Sequence, residues 1–200
     1  MEIRQLRFAM LFLVLLMPVN AEAIAIGMPL PSARLGLAVG VANLTVNDPI
    51  AETGNEWVIR PINIIYTDEL IASRRYWLEA FYQDAVLSAS QHQLGQHVTQ
   101  LGGRASLQRR VGTASIGESW LGAGLQASYD SYEKRHSVDS AGYLLASYLD
   151  RSGGQAALLL NYIFEKNISG RDVAIKLEQS IPLADGVSEF TIAVSLLFDY

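Results

Sequence analysis

The chain has 200 residues, with 15 Lys and Arg against 20 Asp and Glu, a net charge of −5. That balance argues against a nucleic-acid partner, which needs basic patches to neutralise phosphates. No cysteine is present, which excludes a lipoprotein anchor, a disulfide framework and cysteine-ligated metal.

"MEIRQLR" opens the chain with two arginines, "FAMLFLVLLMPV" follows as a short apolar run, and "NAEA" supplies small residues at Ala21 and Ala23. This three-part layout is that of a secretory signal peptide over residues 1–23, cleaved after Ala21 or Ala23. The apolar run is too short for a spanning helix, which needs roughly 20 residues. Residues 24–200 then form one domain by length.

Strand-like alternation recurs along that domain. Residues 34–46 put Leu35, Leu37, Val39 and Val41 on one face, with Arg34, Gly36, Ala38 and Gly40 on the other. Further segments follow at 57–66, 75–88, 97–110, 117–130, 139–150, 155–166, 172–181 and 189–200. In 119–130, Leu121, Ala123, Leu125, Ala127 and Tyr129 oppose Gly122, Gly124, Gln126, Ser128 and Asp130. In 172–181, Val173, Ile175, Leu177 and Ile181 oppose Ala174, Lys176, Glu178 and Ser180. A period of two means strand, because successive side chains leave opposite faces of a sheet. Gly-, Asp-, Asn- and Ser-rich turns such as "DRSGG", "EKNISGR" and "PLADGVS" separate the later segments. The pattern predicts an all-β protein.

Strands of roughly 10 to 13 residues are long for a soluble sandwich and match a tilted membrane strand. Trp57, Tyr66, Tyr76, Tyr82, Trp120, Tyr129, Tyr143, Tyr148 and Tyr200 stand near predicted strand ends. Aromatic girdles at the two bilayer interfaces would place them there. The expected fold is therefore an antiparallel transmembrane β-barrel.

The final strand, "SEFTIAVSLLFDY", alternates Phe190, Ile192, Val194, Leu196, Phe198 and Tyr200 with smaller or polar residues. In a bilayer the sheet must close, so the last strand is expected to pair with the first. Residues 190–200 resemble the C-terminal strand of Gram-negative outer-membrane β-barrels. That resemblance implies residence in the outer membrane among its lipid and lipopolysaccharide, and recognition of the closing strand by the barrel-assembly machinery. A second stretch, "RPINIIYTDELIASRRYWLEAFYQD" (60–84), is similar to the MltA-interacting protein / OmpV-like outer-membrane family.

Nine segments are visible, but bacterial single-chain barrels take an even number of strands. Eight to ten strands are expected. Dividing 69–95 into two gives ten, the favoured count; a helix there gives eight, since Leu70, Ile71, Arg74, Trp77, Leu78, Phe81 and Ala85 also fit a 3.6 period. Pro61, without a ladder donor, is expected near a bulge.

The sequence points to no enzyme, cofactor or metal site. The sharpest catalytic candidate is "RHSVDS", with His136, Ser137 and Asp139, and it reads as a polar loop. His92 and His97 flank another polar turn. Arg104, Arg109 and Arg110 either meet lipopolysaccharide phosphates or flank a loop. If apolar faces are outside, Arg75, Glu79, Gln83, Gln100, Arg104, Gln126, Asp130, Glu165, Lys176 and Glu178 point inward. Small barrels fill their interiors with side chains, so these charges are expected to pair into a plug, Arg75 with Glu79 and Lys176 with Glu178. The expected role is non-enzymatic: structural, partner-binding, or a small-solute pore. The alternative is an outer-membrane lipid-modifying enzyme or protease.

Overall fold

The computed structural model describes residues 33–46, 54–184 and 186–199. The expected signal peptide and Tyr200 lie outside these residues. Nine strands follow in order: β1 (Arg34–Val46), β2 (Gly54–Ile71), β3 (Arg74–Leu87), β4 (Gly95–Ala114), β5 (Gly117–Val138), β6 (Leu144–Ser147), β7 (Arg151–Ile168), β8 (Arg171–Pro182) and β9 (Val187–Asp199). Every ladder is antiparallel.

Eight strands close the ring: β1 to β5 in sequence, then β7, β8 and β9, which returns to β1. Each residue of β1 pairs with β9, from Arg34↔Asp199 to Val46↔Val187. The short β6 pairs only with the upper end of β5 and stays outside the ring. The count falls within the expected eight to ten, but not at the favoured ten. Residues 69–95 do not divide into two strands and form no helix. The end of β2 and the single strand β3 occupy most of this stretch, and in β3 Tyr76, Leu78, Ala80 and Tyr82 face outward against Arg75, Trp77, Glu79 and Phe81. The segment that leaves the ring is 139–150. It carries a hairpin tip anchored by Asp139, whose carboxylate accepts from the Ala141 and Tyr143 amides.

The two ends of the ring differ. Two-residue turns at 72–73, 115–116 and 169–170 join strands at the end that holds Arg34 and Asp199. Ser169 and Gly170 both have positive φ (54° and 81°), the mirror-image turn that suits a twisted hairpin. The longer connections, 88–94 and the β6 hairpin among them, lie at the opposite end.

The outer wall is apolar and exposed; Leu37, Ile64, Leu101, Leu125 and Val194 are representative. Trp57, Tyr82, Tyr129 and Phe190 ring the loop end, Trp57 meeting Phe190 edge-on at 6.5 Å. Tyr66, Tyr76, Tyr162 and Phe198 ring the turn end. Nine residues separate the girdles on β2 (Trp57 to Tyr66) and eight on β9 (Phe190 to Phe198), roughly 25–30 Å of strand, which a tilt of about 40° brings near the apolar band of a bilayer; on β3, Tyr76 and Tyr82 stand six apart. Trp120 does not join a girdle: it is fully buried inside, because its neighbour Leu121 faces out. Tyr143 and Tyr148 belong to the off-ring hairpin.

Pro61 sits at a bulge, as expected. Ala38 pairs with Asn63 but Gly40 with Arg60, so Pro61 and Ile62 together oppose Val39. Below the bulge the inward residues of β2 are Asn63, Ile65 and Thr67; above it the inward residue is Arg60. The extra residue reverses the parity of the strand.

Candidate functional site: a layered charge network in the lumen

The ring's interior is built in layers. At the turn end, Arg75 Nη1 lies 2.5 Å from Glu165, and Arg34 Nη1 reaches Glu165 at 3.2 Å and Asp172 at 3.1 Å. Arg75 also donates from Nε to Gln108 at 2.6 Å, and its guanidinium stacks 4.1 Å from the Trp120 ring. An apolar layer follows, with Ile65, Trp77, Trp120, Ile163 and Leu197 packed together.

The central layer joins three cations to three carboxylates. Glu79 contacts Lys176, with Arg104 at 3.3 Å and Arg60 at 3.9 Å. Glu178 lies 3.1 Å from Lys176 and 2.9 Å from Arg104. Glu189 contacts Arg60 and lies 2.9 Å from Arg104. Asn63 donates to Glu79 at 2.8 Å, and Arg104 donates from Nε to Gln126 at 2.7 Å. All six charged side chains are essentially inaccessible. Equal numbers of opposite charges, each with several partners, meet the condition under which buried ions are tolerated.

Above this layer, Asp130 accepts from Gln100, Ser128 and Tyr132 at 3.0, 2.8 and 3.3 Å. A second apolar layer then fills the loop end of the lumen, with Leu44, Val46, Leu87, Val98, Tyr132 and Val187 at its centre.

The structure thus places Arg75, Glu79, Arg104, Asp130, Glu165, Lys176 and Glu178 inside the ring, with Gln83, Gln100 and Gln126. It divides them between two ion clusters and a separate Asp130 site. Lys176 and Glu178 do pair. Arg75 and Glu79 do not: four residues along a strand are roughly 13 Å apart, and each turns to another strand. Partners reach across the lumen instead, from β3 to β8, β4 to β9 and β3 to β7. Four charged participants were missing from the list of inward residues; one is Asp172, which follows the alternation of β8. Arg60 was hidden by the bulge that inverts its parity. Arg34 and Glu189 follow the alternation of their own strands and were legible.

The other candidates stay apart. His136 Nδ1 lies 2.8 Å from the Lys134 carbonyl, Ser137 Oγ lies 3.4 Å from the Tyr148 hydroxyl, and Asp139 caps its own turn. His97 contacts Asp84 on the outer wall. Arg104 is buried in the central layer, so it does not face lipopolysaccharide. Arg109 and Arg110 stand towards the turn end, where Arg110 pairs with Glu118 at 2.9 Å. Among the described residues no cluster of His, Cys, Asp or Glu is arranged to hold a metal.

No protein-family model matches the chain, and no curated protein matches it, so the similarity of residues 60–84 to the MltA-interacting family gains no support. Solved structures do resemble it. Ail, the attachment invasion locus protein of Yersinia pestis, is similar over 84% of this chain and 99% of its own, at 10% identity and a TM-score of 0.50. Neisserial surface protein A is similar over 86% of this chain and 100% of its own, at 12% identity and a TM-score of 0.50. At such identities the likeness concerns architecture alone, and it agrees with the ring, the apolar wall and the polar lumen: the chain folds as an antiparallel transmembrane β-barrel.

Proposed function

We propose that this chain is a closed, non-enzymatic barrel of the Gram-negative outer membrane. Its N-terminal segment directs export, and the barrel-assembly machinery reads its closing strand. It serves as a structural or partner-binding element among outer-membrane lipid and lipopolysaccharide. One observation carries the reading: the ion network of the lumen lies between two apolar layers. A hydrated ion crossing the lumen would have to pass Trp77, Trp120 and Ile163 at one end and Leu44, Leu87 and Tyr132 at the other. An eight-stranded interior is just wide enough for side chains to fill it, and aqueous channels need far more strands. The long connections at the end opposite Arg34 and Asp199 suit contact with partners outside the cell.

Reconstitution of the purified protein in a planar bilayer tests this. The expected record is flat; large, steady conductance would refute the closed lumen. The non-enzymatic part has its own test. Replacing His136 by alanine is expected to leave envelope lipid composition unchanged, and loss of a lipid A species in that variant would restore the enzyme reading.

A further inference from the structure

Three arginines at the turn end of the ring have acidic partners. Arg75 turns inward to Glu165, Arg34 to Glu165 and Asp172, and Arg110 pairs with Glu118. Arg74 and Arg109 differ: among the described residues neither guanidinium makes an ion pair or a side-chain hydrogen bond. The ladder sets Arg74 directly opposite Arg109. Both lie on the outer wall, two residues beyond Tyr76 and Leu107, which face outward and oppose one another in the same way. Like charges directly opposite on neighbouring strands repel and weaken the pairing. A counter-ion from outside the chain removes that cost.

Depth identifies the counter-ion. Tyr76 belongs to the turn-end girdle, and two residues of strand at a tilt of about 40° place the arginines about 5 Å outside it. Lipid head groups begin at that level. Towards the bilayer centre the wall is hydrocarbon-facing, with Leu107 and Leu78 exposed. One outward carboxylate stands near, Asp68, but it lies across from Tyr76 rather than from Arg74 and accepts from the Tyr76 hydroxyl at 3.1 Å. The Tyr66 ring lies 5.8 Å from that of Tyr76 on the same face. Arg74, Arg109 and Asp68 thus leave the patch with one positive charge in excess.

We infer that Arg74 and Arg109 together hold the phosphate of one phosphatidylglycerol molecule, an anionic phospholipid whose single negative charge matches that excess. Two guanidinium forks offer the paired N–H donors that phosphate oxygens accept. The acyl chains run along Leu107 and Leu78 towards the bilayer centre. A zwitterionic lipid brings its own cation beside the arginines and is held less tightly. The contact needs only a membrane-spanning barrel. That the leaflet is the inner one of the outer membrane rests on the function proposed above, in which short turns face the periplasm.

Native mass spectrometry of the folded barrel tests the seat, with dioleoyl phosphatidylglycerol in one arm and phosphatidylcholine of the same chains in another. One phosphatidylglycerol is expected to stay bound, several-fold more tightly than phosphatidylcholine. Arg74→Gln and Arg109→Gln should each weaken it about tenfold, the worth of one hydrogen bond to a charged group. Arg171→Gln is the control. It removes the same charge at the same end of the ring, but Ile168 rather than a cation stands opposite, so the affinity should stay unchanged. Unfolding followed by heat-modifiable migration adds a readout whose sign reverses. In neutral detergent alone Arg74→Gln should unfold at a slightly higher temperature than wild type, because the repulsion is gone. With phosphatidylglycerol added, wild type should be stabilised and the variant should not, since only a bound ligand shifts the folded state. A third arm with inorganic phosphate should stabilise wild type less than the lipid does. Equal affinity for the two lipids, an equal loss in Arg171→Gln, equal stabilisation by inorganic phosphate, or a variant that unfolds earlier than wild type in neutral detergent would each overturn the seat.

Discussion

Glu79 shows how tightly the lumen is balanced. Lys176, Arg104, Arg60 and Asn63 all point at one carboxylate that has no access to water. Removing it leaves three cations short of a partner, and breaking a buried ion pair costs about 3–5 kcal/mol. Glu79→Ala should therefore lower the unfolding temperature seen by heat-modifiable migration. The Glu79→Ala, Lys176→Met double variant should lose less than the sum of the two single losses, because the second change removes a charge the first has stranded. Additive losses would mean that the two groups do not interact. Gly124 is a second sensitive point, for a steric reason. A Cβ there would lie 2.0 Å from the Ala105 carbonyl oxygen and 2.6 Å from Ser106 Cα, both backbone atoms that have no rotamer to yield. Gly124→Ala should cost about 1–3 kcal/mol, typical of overpacking; a variant as heat-stable as wild type would show that β4 and β5 can separate there.

At the scale of the element, the bulge in β2 and the closing strand β9 matter most. Deleting Ile62 would remove the bulge and leave Arg60 on the lumen side by simple alternation, because Asn63, Pro61 and Arg60 would then stand in, out and in. That deletion should therefore fold about as well as Ile62→Ala, which keeps the bulge; a much lower folded yield from the deletion would show that the bulge itself is needed for assembly. Removing residues 190–200 deletes the pairing that joins β9 to β1 and exposes an open edge, so no heat-modifiable form should appear. The β6 hairpin is the opposite case. It rests on β5 through His136↔Ser147, Ser137↔Ala146 and Val138↔Leu144, and the ring closes without it. Replacing residues 139–149 by a short Gly-Ser link should leave heat-modifiable folding intact, and a failure to fold would place the hairpin within the barrel's cooperative unit.

The whole molecule is a short cylinder inverted relative to a soluble protein. Its exposed wall carries Leu, Ile and Val, and its centre carries Arg, Lys and Glu. Such an object is stable only where the wall meets hydrocarbon. We expect the mature protein to fractionate with outer membranes and to need detergent for extraction; recovery as a soluble species without detergent would contradict the membrane reading. On the proposed reading, the two apolar layers that flank the ion network make the molecule a wall element with a loop-bearing surface rather than a conduit.

Alternation by itself determined which residues face lipid and which face inward along the ring strands, except above the bulge in β2. The side-chain period of a strand is two, and Leu35, Leu125 and Val194 stand where that period puts them. Turn residues marked the hairpin at 169–170, since only certain residues suit its backbone angles, but not at "DRSGG", where Arg151 to Gly154 continue β7 against β5; the missing ladder donor set Pro61 apart as a bulge. Pairing was beyond the reach of alternation. Arg75 chose Glu165 on β7, and Glu79 chose Lys176 on β8, because ring closure brings together strands far apart in the chain. Those distances do not exist until the sheet curves. The ring count, too, was decided in three dimensions: 139–150 alternates like a barrel strand, yet β5 and β7 already pair with each other and leave it no place in the ring. Arg60 was hidden for the same reason, since its direction depends on one extra residue whose effect appears only when β2 is laid against β1.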